Sequence, residues 1–145
     1  MGYCTTVSGE IKIRPPLTNR EIAGSPFVGR DRDVRLVIEE VTTETDDGTL
    51  TRRTATALKA SLEEPYKAYH LMEHITEAMT TWPGHEFSGH LECAGEEPGD
   101  LWRVAVRDGR VERVHPRIIW TPGLTEREQL LARLAELDDA DNGAA

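Results

Sequence analysis

Two cysteines, an aromatic content of 6% and no long apolar run set the first limits on this chain of 145 residues. Cys4 and Cys93 are too few for a disulfide framework, so both are expected as reduced thiols in a cytoplasm. No stretch approaches the ~18 apolar residues that span a bilayer, so no membrane association is expected. Met1 to Arg14 has no basic run followed by an apolar one, which argues against a secretory leader. With few aromatics, the core must be aliphatic. The G-x-S-x-G, P-loop and G-x-G-x-x-G fingerprints are absent, so no nucleotide or other cofactor is expected. Positive charge is also short: 17 Lys and Arg face 26 Asp and Glu, a net charge of -9. Phosphate backbones are repelled by such a surface, so no nucleic-acid partner is expected.

What is present reads as an α+β fold. At this length a single domain buries roughly 70% of its unfolded surface and needs no staples. Val7 to Ile13 alternates as a strand, which Pro15-Pro16 ends. Thr18-Asn19-Arg20-Glu21 matches a capping box and opens a helix that Gly24 and Ser25-Pro26 keep short. Val34 to Val41 and Leu50 to Leu58 are β-rich, and a two-residue turn at Asp47-Gly48 would set Glu44 opposite Thr51 and Ile38 opposite Ala57. From Pro65, the spacing of Ala68, Leu71, Met72, Ile75, Ala78 and Met79 predicts a helix that Trp82-Pro83-Gly84 ends.

Three strands follow: Phe87 to Cys93, Leu101 to Val106, and Val111 to Trp120, the last two joined at Asp108-Gly109. That turn puts Val114 opposite Arg103, so a bulge or register break is expected between Val111 and Pro116. Thr125-Glu126-Arg127-Glu128 is a second capping box, and Leu130, Leu131, Leu134 and Leu137 give the helix it opens a narrow apolar stripe.

The order is β-α-β-β-α-β-β-β with a C-terminal helix. This is a mainly antiparallel sheet of about six strands and two helices, with a split βαβ, ferredoxin-like core. The expected organisation is one domain over 1-122, an amphipathic helix over 123-138 and a disordered tail over 139-145. Ser8 to Ile13 and Ser88 to Cys93 echo each other as S-G-x-aliphatic, which suggests similar environments for the two strands.

His70-Leu71-Met72-Glu73-His74 spells H-x-x-E-H, the inverted zinc-hydrolase string, in which two histidines hold the metal and the glutamate activates water. At ~100° per residue, however, His70 and Glu73 fall roughly opposite the apolar face and His74 at its edge. A catalytic zinc also needs a third ligand and a sheltered opening. His85, His90, Cys93 and His115 make a poor metal set, because His90 and Cys93 differ in strand parity and face opposite sides. Glu96, Glu97 and Asp100 lack the calcium-loop pattern. No catalytic or metal residue is therefore assigned. Trp102 and Trp120 are expected in or against the core. Trp82, at the helix exit, is read first as packed under the loop and second as a surface anchor, the latter together with Leu130, Leu134 and Leu137.

Several segments resemble an uncharacterised family of small acidic proteins from actinobacteria and their phages. They are Gly2-Tyr3 with Gly9-Glu10-Ile11, Pro15-Pro16-Leu17, Ser25-Pro26-Phe27, Asp47 to Arg53, Gly95 to Trp102 and Pro116 to Trp120. The resemblance covers about residues 2-122. It carries no established activity, ligand or catalytic residue, and implies an intracellular accessory protein.

The leading expectation is a non-enzymatic module that binds another protein, or a second copy of itself through the C-terminal helix. Two other classes stand beside it: a zinc-dependent hydrolase using His70, Glu73 and His74, and a small-ligand-binding domain, which rests on fold analogy.

Overall fold

The structure, a computed structural model, describes residues 3–119 and 125–143. The described elements are β1 (Thr6–Leu17), α1 (Asn19–Ile22), β2 (Val34–Thr45), β3 (Gly48–Ala60), α2 (Leu71–Thr81), β4 (Glu86–Ala94), β5 (Leu101–Arg107), β6 (Arg110–Val114) and α3 (Glu126–Gly143). The element order matches the one the sequence predicts. The six strands form one sheet in the order β2-β3-β1-β4-β5-β6, with every neighbouring pair antiparallel. The first four strands thus lie as 4-1-3-2, the arrangement of a split βαβ unit, and β5 and β6 extend it.

One sheet face carries the core. Val7, Ile11 and Ile13 of β1, Leu36 and Leu58 of the β2–β3 pair, Phe87, Leu91 and Cys93 of β4, and Val104 and Val106 of β5 pack with Leu71, Ile75 and Ala78 of α2. The opposite face is solvated. Ser8, Glu10, Lys12 and Arg14 alternate with the core residues of β1, and Glu86, His90 and Glu92 do so on β4.

The central ladder joins the two echoing segments. Ser8-Gly9-Glu10-Ile11 runs antiparallel to Ser88-Gly89-His90-Leu91, with Glu10 opposite His90, Gly9 opposite Leu91 and Ile11 opposite Gly89. The two segments are therefore related by a local twofold. Each glycine has positive φ, +92° at Gly9 and +128° at Gly89. A Cβ at Gly9 would come within 2.9 Å of the His90 carbonyl oxygen, and one at Gly89 within 2.9 Å of the Glu10 carbonyl oxygen. Lacking side chains, the glycines let the strands close up while Ile11 and Leu91 are fully buried.

Four details depart from the sequence reading. The β2–β3 turn is Asp46-Asp47, one residue early, and Thr45 pairs with Gly48, so Glu44 faces Thr49. Thr45 Oγ1 donates to the Gly48 carbonyl at 2.8 Å and closes that turn. The register slips between Val37 and Ile38, leaving Thr56 as an extra residue on β3, so Ile38 faces Ala55 rather than Ala57. At the other end, Asp108 (φ 53°) and Gly109 (φ 74°) form the expected two-residue turn, but no bulge follows it. Pairing continues from Val111 to Val114 and the strand stops there, well short of Trp120, which lies outside the described residues. The edge strand resolves the register conflict by giving up Val114 to solvent, at 44% exposure. Lastly, α3 continues past Asp138 to Gly143, through residues expected in the tail.

If backbone approach at the central ladder is limiting, Gly9→Ala and Gly89→Ala should each cost at least about 2 kcal/mol, combining positive-φ strain with the carbonyl clash. Gly109→Ala, with open space around it, should cost about 1 kcal/mol. Urea unfolding of the three variants checks the order, and equal losses would refute it.

Candidate functional site

Helix α2 brings His70, Glu73 and His74 to the segment leading into β2. His70 and Glu73 are exposed, with His70 Nδ1 3.2 Å from Glu73 Oε2. His74 is half-buried and turned inward, further than its place on the wheel implies. Its Nδ1 accepts the Asp33 backbone N–H at 2.9 Å. The His70 and His74 rings lie 5.7 Å apart. Among the described residues, no three His, Cys, Asp or Glu side chains gather as a metal-binding group.

Asp33 is the centre of this corner. Its carboxylate accepts the His70 backbone N–H at 2.9 Å, a tertiary substitute for the side-chain cap that His70 does not provide. Its carbonyl accepts from Ser61 N at 3.0 Å and from the Tyr66 hydroxyl at 2.5 Å. Beside it, the Arg32 guanidinium meets Glu77 of α2 through two bonds, 2.7 and 2.9 Å. That fork holds the Glu77 carboxyl below the usual carboxylate range. Arg32 also lies over the Phe27 ring, 6.0 Å from its centroid. Ser61 Oγ donates to the Arg32 carbonyl. Residues 31–33 are thereby clamped to the start and side of α2.

A second corner was not visible in the sequence. His85 Nδ1 lies 2.6 Å from the Pro15 carbonyl oxygen and Nε2 lies 2.7 Å from Glu21 Oε2, with the ring 10% exposed. Both partners are acceptors, and a neutral ring can donate to only one of them. Glu21 also closes the expected capping box with Thr18. Its carboxyl is held below its ordinary value, chiefly by the Thr18 backbone N–H; burial opposes this next, and the hydrogen bonds from His85 and the Thr18 hydroxyl add to the lowering.

The remaining candidates are dispersed. The acidic turn serves the N-terminal strand: Tyr3 donates its hydroxyl hydrogen to Asp100, and Cys4 N donates to Glu96 Oε1 at 3.0 Å. His90 and Cys93 do face opposite sides, His90 in solvent and Cys93 in the core, where burial pushes the thiol up to about 11. Trp102 is half-buried beneath Arg113, whose guanidinium lies 4.6 Å from the ring centroid. Trp82 packs inward, as first expected, and its second reading as a surface anchor is corrected. It is 6% exposed and tilts against Phe27 at 5.7 Å, so it belongs to the core and offers no surface anchor.

The large exposed apolar residues concentrate on α3. Leu130, Leu131, Leu134 and Leu137 are 55–58% exposed. Thr125 and Glu128 close the second capping box across 2.9 and 3.3 Å. A different face of α3 meets the body. Gln129, Ala132, Arg133 and Glu136 line a cleft with Arg117 and Ile119, and Glu136 approaches Arg117 at 3.6 Å. At ~100° per residue, that i, i+3, i+4, i+7 face is centred about 120° round the helix from Leu130, Leu134 and Leu137.

Two predictions follow from the corners. His74→Ala removes the acceptor for Asp33 N–H and should cost about 1–2 kcal/mol, whereas His70→Ala should stay within about 0.5 kcal/mol. Urea unfolding separates them, and similar losses would mean that the Asp33–His74 bond carries no weight. For Glu21, the folded value lies below the unfolded one, so its contribution is complete above the ordinary 4.5 and is lost as pH falls through the folded value. Glu21→Gln should therefore melt earlier than the parent at pH 7, with the gap closing towards pH 3. A gap that persists at pH 3 would contradict this account.

No helix among the described residues is long and apolar enough to cross a membrane. No curated protein matches the chain. No solved structure matches it either. A family model described as "Family of unknown function (DUF6205)" matches residues 1–132, past the expected boundary near 122 and into α3. The chain belongs to that family of unknown function.

Proposed function

We propose that this protein is a non-enzymatic interaction module that docks another protein through α3. One observation carries the reading: the four leucines stay half-exposed, while a separate face of the helix, turned about 120° away, meets the protein's own body. Four leucines held half-exposed forgo the burial that is worth about 1.5–3 kcal/mol for each side chain. A partner surface supplies that burial. An amphipathic helix laid in a groove is a common mode of peptide recognition, and it reads out anchors spaced as Leu130, Leu134 and Leu137 are.

The chemistry-bearing side chains support the same reading. His74, His85, Glu21 and Asp33 are engaged in holding loops to helices. A zinc hydrolase would need His74 to give up the Asp33 N–H. An intracellular accessory role, of actinobacterial or phage origin, accords with the family resemblance.

Removing the residues after 120 tests this. The fold should keep its stability within about 0.5 kcal/mol, because no described α3 residue is in the buried core and the Arg117–Glu136 pair is exposed. The full chain should retain a protein partner that the Leu130→Ala/Leu134→Ala/Leu137→Ala variant loses. A truncation that lowers stability by several kcal/mol would make α3 a structural element and overturn the proposal.

A further inference from the structure

The pattern of charge around the leucine stripe is self-complementary. At ~100° per residue, Arg127 and Asp138 fall within the stripe, between the lines of Leu134 and Leu131, one near each end. Both are exposed, and they are eleven residues apart, about 16 Å along the axis, too far to pair within one helix. When two such helices meet stripe to stripe and run antiparallel, the N-terminal end of one stripe faces the C-terminal end of the other. The register that sets Arg127 of one copy against Asp138 of the other also sets Leu131 against Leu134, and each of these contacts occurs twice. A parallel pair would oppose Arg127 to Arg127 and Asp138 to Asp138, which is repulsive.

We infer that the partner of α3 is a second copy of this chain, joined through an antiparallel α3–α3 pair with reciprocal Arg127–Asp138 bridges. The inference rests on α3 being the docking element. The geometry within one copy permits the pairing, since the body-facing side of α3 carries none of the leucines. The contact is isologous, so it closes at two copies and leaves no propagating edge. One helix from each copy makes a small interface, so the dimer should be of modest affinity and sensitive to salt.

Sedimentation of the full chain across the micromolar range tests it. The parent should pass from monomer to dimer, and Leu131→Ala/Leu134→Ala should weaken dimerisation at least about tenfold. Arg127→Glu and Asp138→Arg should each weaken it severalfold, and the double charge exchange should restore it, because only an antiparallel pair brings 127 to 138. A parent that stays monomeric throughout overturns the inference, as does a dimer indifferent to the leucine changes or a double exchange that fails to rescue. If the monomer still captures another protein in a leucine-dependent way, α3 remains a docking element and only the identity of its partner is wrong. Circular dichroism of each variant, unchanged from the parent, rules out a melted helix as the cause.

Discussion

The close approach of β1 and β4 is the contact on which the rest of this fold depends. Gly9 and Gly89 sit across from Leu91 and Ile11, and each leaves room for the other strand's carbonyl where a Cβ would reach to 2.9 Å. With those side chains removed, nine residue pairs from Thr6↔Ala94 to Arg14↔Glu86 form an unbroken antiparallel ladder. That ladder places β1 in the middle of the sheet, with β3 on its other side. It also brings Ile11 and Leu91 to the one face that α2 covers. Much of the buried core is then a consequence of side-chain alternation along these two strands.

Fastening α2 onto the sheet takes most of the protein's reactive-looking side chains. Asp33 caps the helix start from another segment, His74 holds Asp33 in return, and Arg32 forks onto Glu77 one turn further along. At the helix exit, His85 ties the Pro15 carbonyl to Glu21 across 64 to 70 residues of sequence. Two backbone groups, the Asp33 N–H and the Pro15 carbonyl, are thus satisfied by ionisable side chains. Of the H-x-x-E-H string, the His74 ring and the His70 backbone N–H belong to this network, while the His70 ring and Glu73 are exposed. This is why the interaction reading draws its support from α3, which takes no part in the network.

Helix α3 follows a different logic. Its first turn is capped by its own Thr125 and Glu128, so it starts without tertiary help. Its polar face leans on Arg117 and Ile119, while its leucines stay outside. The family match ends at residue 132, partway along this helix, so the stripe straddles the family boundary. The element with the most exposed apolar surface is thus also the one least bound to the fold.

Local chemistry was enough for the elements and their order. Capping boxes at Thr18 and Thr125, the Asp108-Gly109 turn, the alternation of Phe87, Leu91 and Cys93, and the helical spacing from Leu71 to Ala78 each act over a few residues, and each is readable there. The sequence also determined that His90 and Cys93 would part to opposite faces, because strand parity is a local rule. Tertiary structure decided the remainder. Whether the β2–β3 turn fell at Asp46 or Asp47, and where Thr56 bulged, depended on matching Ile38, Leu36 and Leu58 to a core built by other strands. Trp82 went inside because Phe27, far away in sequence, stood ready to pack on it. His74 turned inward because Asp33 needed an acceptor, and His85 became a bridge because Pro15 and Glu21 met it. Those outcomes depend on partners tens of residues distant. The energy of a hydrogen bond or an apolar contact is set by what the fold brings within reach, and spacing along the chain does not encode it.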